Sequence, residues 1–131
     1  MSSIKEIVID TNFFMIPFQF NVDVIAELKK IAPSYKLTTT NFVIDELVGL
    51  SSNKNSTNRN LAKLALKLAK SSNIFKLDES LKMNESVDDA LIRLSKILAT
   101  NDKGLKKRAR DNGVTVIYLR QKRYLAIDGH I

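Results

Sequence analysis

Cysteine is absent from this 131-residue chain. Disulfides, thiolate zinc sites and cysteine nucleophiles are excluded together. Histidine occurs once, as His130, beside the C-terminal residue. That argues against Ser-His-Asp catalysis and histidine-rich metal sites. No apolar stretch approaches the roughly 18 residues that read as a membrane span, so no membrane partner is expected. The opening Met1-Ser2-Ser3-Ile4-Lys5-Glu6 reaches a strand-like run at once. It leaves no room for the basic, apolar and small-residue regions of a signal peptide, and the expected location is cytoplasmic. Any hydrolytic chemistry has to come from carboxylates, lysines, hydroxyls or a metal.

What is present fits one soluble domain over residues 1–131. With 44% hydrophobic and 27% charged residues, the chain can bury a core and is not of disordered composition. Its net charge is +7. A basic protein of this size favours polyanions, with RNA or DNA first, although a merely soluble basic domain has the same charge.

Ile7-Val8-Ile9, bounded by Asp10-Thr11-Asn12, reads as a buried strand and a turn. Asn21 is placed to cap a helix from Val22 to about Ile31, with Val24, Ile25, Leu28 and Ile31 on one face. Ala32-Pro33 stops it. Lys36-Leu37-Thr38-Thr39 is a second short strand, and Thr40 or Asn41 caps a helix from Phe42 to Leu50. A polar loop over 51–60 leads to an amphipathic helix marked by Leu61, Leu64, Ala65 and Leu68. Ile74–Leu77 is a strand, Ser86 caps the next helix, and Ile97-Leu98-Ala99 is another strand ending at Thr100-Asn101-Asp102. A helix over 103–112 stops at Gly113, and Val114–Leu119 is the clearest strand of all. The alternation predicts an α/β domain, a central parallel sheet flanked by helices on both faces. In such sheets sites form beyond the carboxyl ends of strands, where the strand order reverses.

Two acids stand at such ends. Asp10 follows its strand directly, and Asp102 follows its own within a few residues. If the two strands are neighbours, the carboxylates converge. Asp89 lies in the first turn of one helix and Glu46 early in another, so both reach the same edge if their helices start there. Each acid has a purely structural alternative. Asp102 suits an N-cap, Asp10 an Asx-turn, and Glu46 a solvated helix face. Asp89 suits the reciprocal position of a capping box begun by Ser86. The polar partners Thr11-Asn12 and Thr100-Asn101 tip the set toward a site. Clustered carboxylates raise one another's pKa values, and a hard cation with oxygen ligands, Mg²⁺ or Mn²⁺, removes that penalty. Such a cation activates water and stabilises charge on a phosphodiester.

At these residues the sequence resembles the PIN-domain nucleases. The likeness runs through Ile7–Asn12, Val43-Ile44-Asp45-Glu46-Leu47, Asp88-Asp89-Ala90-Leu91-Ile92, Ala99–Asp102 with Leu105 and Arg108-Ala109, and Gly113–Ile117. Each motif alone is weak; their order and spacing together carry the resemblance. It implies a Mg²⁺- or Mn²⁺-dependent endoribonuclease with Asp10, Glu46, Asp89 and Asp102 as its catalytic and metal-binding acids. Thr11, Asn12, Thr100 and Asn101 match supporting positions. Asp88 adjoins Asp89, and Asp89 is preferred because it directly precedes Ala90-Leu91, as the family's acid does. In-line attack by water would leave a 5′-phosphate and a 3′-hydroxyl. Thr100–Arg108 and Val116–Tyr124 resemble the branch that processes small-subunit ribosomal RNA precursors, with archaeal relatives. The cysteines of the zinc-binding ribosomal branch are missing. Toxin-type PIN ribonucleases share the acids.

Lys103, Lys106, Lys107, Arg108 and Arg110 surround the helix after Asp102, while Arg120, Lys122, Arg123 and Tyr124 follow the final strand of this reading. Both groups suit phosphate contacts, with Tyr124 placed to stack on an unpaired base; a solvated basic helix face is the alternative. The expected partner is RNA, a ribosomal precursor by resemblance, with homodimerisation and ribosome-assembly partners left open. Two rival classes are weighed. A catalytically idle RNA-binding module gains nothing from carboxylates near phosphate. A phosphoryl-receiver domain lacks its adjacent acidic pair and the Asp after a middle strand.

Overall fold

The structure, a computed structural model, describes residues 5–55 and 57–131. The first strand, β1 (Glu6–Ile9), is the axis of the fold. Ile7, Val8 and Ile9 are wholly buried, as a β-branched run covered on both faces has to be. It pairs in parallel with β2 (Lys36–Thr40) on one side and with β4 (Ile97–Ala99) on the other. β3 (Phe75–Leu77) extends the sheet beyond β2, and β5 (Thr115–Arg120) extends it beyond β4. β6 (Tyr124–Asp128) closes that edge antiparallel to β5. The order is β3-β2-β1-β4-β5-β6. The chain thus builds outward from β1 in one direction, then crosses to β4 and builds in the other. The strand order reverses between β1 and β4, where open α/β sheets place their ligands.

The helices are α1 (Thr11–Phe20), α2 (Val24–Ile31), α3 (Asn41–Ser52), α4 (Arg59–Ala69), α5 (Val87–Leu94) and α6 (Lys103–Asp111). α1, α3 and α4 pack on one another, and α5 packs on α6. Local capping explains the starts. Thr40 accepts the Val43 N–H, Ser86 the Asp89 N–H and Asp102 the Leu105 N–H. α6 ends at Gly113, whose φ of +79° suits the residue just past a helix. Among the described residues, no helix is long and apolar enough to cross a membrane.

Three features depart from the sequence reading. The segment after Asp10 is not a turn but α1. Its Phe13, Phe14, Met15 and Ile16 are all buried, so it carries no 3.6-residue periodicity, and Pro17 lies inside it. Asn21 does not cap α2; it ends α1 in the left-handed conformation at φ 57°, and Asp23 caps α2 through the Ala26 N–H. The sheet does not end at β5. Gln121 and Lys122, at φ 54° and 55°, form a tight hairpin turn closed by the Arg123 N–H on the Arg120 carbonyl, and the sheet gains an antiparallel edge. The basic cluster expected after the last strand is therefore that hairpin.

Because α1 is a core element, Phe13→Ala is expected to lower unfolding free energy by about 3–5 kcal/mol in urea titrations. A loss below about 1 kcal/mol would contradict the burial of this helix.

Candidate active site

Asp10 leaves β1 at the reversal point, and its backbone N–H donates to the Ala99 carbonyl of β4 (2.9 Å). Register between β1 and β4 thereby fixes the first acid against the loop that carries Asp102. The Thr100 hydroxyl donates to Asp10 Oδ2 at 2.8 Å and accepts the Asp102 N–H at 3.1 Å. Asn12 spans the same gap. Its Nδ2 donates to Asp10 Oδ2 (3.3 Å), while its Oδ1 accepts the Asn101 N–H (2.8 Å). Asn101 Oδ1 in turn accepts the Leu119 N–H of β5 (2.8 Å). The four supporting polar residues expected from sequence are thus bonded into the site, since Thr11 donates its hydroxyl to Glu46 Oε1 at 2.6 Å.

A pocket of about 170 Å³ lies over these residues, lined by Asp10, Glu46, Asp88 and Asp102 with Thr11 and Asn58, among others. Asp10 is buried at its base; the other three acids are exposed around it. Glu46 arrives because α3 starts directly after β2, on the carboxyl edge of the sheet. Asp89 does not line the pocket. It is ion-paired with Arg108 of α6, whose other terminal nitrogen lies 3.8 Å from Asp88. Asn58, Met15 and Leu50 also line the pocket and were not singled out from sequence. Met15 belongs to the unrecognised α1. Asn58 sits in a polar loop that carries no motif.

Burial pushes the Asp10 carboxyl up to about 6, with the Thr100 hydroxyl and the Thr11 backbone N–H opposing the rise and the charges of Glu46 and Asp88 adding to it. A cation reverses that balance. The donors are all oxygens, which suits Mg²⁺ or Mn²⁺. Among the described residues no three acids close into a ready cage. A cation that keeps several waters would need few direct ligands. One oxygen each of Asp10, Glu46 and Asp102 accepts a fixed donor, which sets the carboxylate plane.

The basic residues separate. Lys106 lies over the Tyr118 ring (3.4 Å to its centre) and 4.0 Å from Asp128; Lys107 pairs with Asp111 at 3.1 Å. Arg110 pairs with Asp128 at 3.1 Å. Lys122 sits 5.7 Å from the Phe20 ring. Lys103, Arg120, Arg123 and Tyr124 are exposed.

A carboxyl raised in the folded state binds its proton more tightly there than in the unfolded chain. Its stabilisation is full below about pH 3.8 and is lost as pH rises through about 6. Asp10→Asn in metal-free buffer is therefore expected to match the parent near pH 4 and to exceed its stability at pH 8, by up to about 3 kcal/mol. Thermal melts across that range check this; no gain at pH 8 would contradict it.

A family model described as a PIN like domain matches residues 7–122. The chain is 27% identical to Ribonuclease VapC4 of Methanocaldococcus jannaschii over 132 residues, 96% of this chain and 98% of that protein. It is 29% identical to Ribonuclease VapC9 of Archaeoglobus fulgidus over 121 residues, 92% of this chain and 87% of that protein. Among solved structures it is similar to the PIN domain endonuclease Utp24, with a TM-score of 0.77, 23% identity, and coverage of 96% of this chain and 92% of that one. At that identity the likeness speaks for the fold. With the family model matched from the first strand to the hairpin turn, and the acids gathered where the strand order reverses, the chain belongs to the PIN-like domain family.

Proposed function

We propose that this protein is a metal-dependent endoribonuclease. The observation that carries the reading is the buried Asp10, raised by burial and by neighbouring acids, at the base of a pocket with Glu46, Asp88 and Asp102 at its rim. A carboxylate set of this kind repels phosphate unless a cation joins it. The ribonuclease names of the two archaeal relatives support RNA as the substrate.

Bound Mg²⁺ or Mn²⁺ supplies water activation and charge neutralisation at the phosphodiester. Asp10 and Asp102 are the direct ligands of this reading, because Thr100 holds both at once. Glu46 completes the set from α3, its orientation fixed by Thr11. The fourth acid is Asp88 in preference to the Asp89 favoured from sequence: Asp88 lines the pocket, whereas Arg108 engages Asp89. The products are a 5′-phosphate and a 3′-hydroxyl. The target proposed from the motifs at Thr100–Arg108 and Val116–Tyr124 is a ribosomal RNA precursor. Mapping new 5′ ends in cells separates this from a toxin-type role, in which the ends fall in other RNAs.

Single-stranded RNA is expected to be cut with Mn²⁺ or Mg²⁺ and not after chelation. Asp10→Asn is expected to lose more than about 100-fold in rate while still binding RNA, and Thr100→Val about 10–100-fold, as for residues that orient a ligand. Asp88→Asn is expected to lose more than Asp89→Asn. Full cleavage by metal-free protein would overturn the proposal, and absence of cleavage by the parent would favour an idle RNA-binding module.

A further inference from the structure

The cations around α6 do not share one fate. Lys106, Lys107, Arg108 and Arg110 each have a carboxylate partner. Lys103 and Arg120 form no ion pair among the described residues. Both line one groove of about 250 Å³, together with Asn101, Lys106, Tyr118 and Gln121. This groove has three cations in its lining and no acid. The neighbouring pocket has four acids and no cation. The loop from Thr100 to Asp102 divides the two: Asn101 lines the groove and Asp102 lines the pocket, while the buried Thr100 hydroxyl bonds Asp10.

The dividing wall is held on both sides. Asn101 gives its backbone N–H to Asn12 in the acid site and takes the Leu119 N–H on its side-chain oxygen. The groove is therefore in fixed register with the acids. The N-terminus of α6 opens onto it at Lys103, so the helix dipole adds to the positive field. Lys106 stacked on Tyr118 fixes the groove's aromatic wall.

We infer that this groove seats a phosphodiester of single-stranded RNA adjacent to the one cleaved, with Lys103 and Arg120 as its phosphate contacts and the Asn101 side-chain NH2 as a further donor. The inference rests on the ribonuclease reading for what happens next door. Repulsion by the acids and attraction by the cations act on opposite sides of one loop, so a strand held in the groove presents its next phosphate to the acids. Lys107 and Arg110 follow Lys103 and Lys106 along the same face of α6, but they lie outside this groove, in a neighbouring one where Asp111 and Asp128 balance them.

The test compares two double variants of equal charge change, Lys103→Gln/Arg120→Gln and Lys29→Gln/Lys70→Gln, all four side chains being exposed. Binding of a single-stranded oligoribonucleotide is measured against salt without divalent metal, and cleavage kinetics with it. The groove variant is expected to bind about tenfold more weakly near 0.15 M salt, with the slope of log K against log salt reduced by about 0.7 per lost phosphate contact. It is expected to raise KM with little change in kcat, and the control is expected to match the parent. Equal weakening in both variants, or no change in the groove variant, would overturn the inference. Groove-dependent binding by a parent that cuts no RNA would leave the groove standing and remove the ribonuclease reading instead.

Discussion

One hydroxyl group ties the site together. Thr100 Oγ1 donates to the buried Asp10 carboxylate and accepts the backbone N–H of Asp102, so a single side chain spans the seam between β1 and β4. That seam exists because the chain lays β1, β2 and β3 in one direction and then crosses to lay β4 and β5 in the other. Asp10 is bonded to β4 through its own backbone and to Thr100 through its side chain. Any cation held between Asp10 and Asp102 would therefore take its position from the sheet register at Asp10 and from the short 100–102 loop that Thr100 ties to it.

Electrostatics divides the site edge by the same seam. Acids gather on one side of the 100–102 loop; cations line the other, of which Lys103 and Arg120 form no ion pair among the described residues. Burial of Asp10 costs the metal-free protein stability, which is the usual arrangement where function requires a group that folding alone would not choose. Arg108 supplies an internal counter-charge to the adjacent acids of α5 and sorts them, engaging Asp89 and leaving Asp88 at the pocket.

Much of this was legible before any coordinates. Their places at strand ends pointed to Asp10 and Asp102 as candidates, and the polar residues expected beside them bond across the same seam. Glu46 needed the family resemblance, because nothing local distinguishes it from a solvated helix residue. α1 was hidden because four consecutive apolar residues, Phe13–Ile16, are buried in it, which leaves no amphipathic period. β6 was hidden because Gln121-Lys122 is not a turn pair of the Asn-Gly kind and the strand behind it begins in a basic run. Asp88 and Asp89 are neighbours in one helical turn, and sequence alone could not divide them. What separates them is Arg108, brought in from another helix. The same long-range pairing decided which cations stay unpaired.

The central claim is that the acids at the seam between β1 and β4 hold a divalent cation. A crystal structure of the protein grown with Mn²⁺, with anomalous data collected, tests it most directly. An anomalous peak is expected in the acid pocket within direct or single-water reach of both Asp10 and Asp102. No peak there, or Asp10 and Asp102 found far apart, would contradict it.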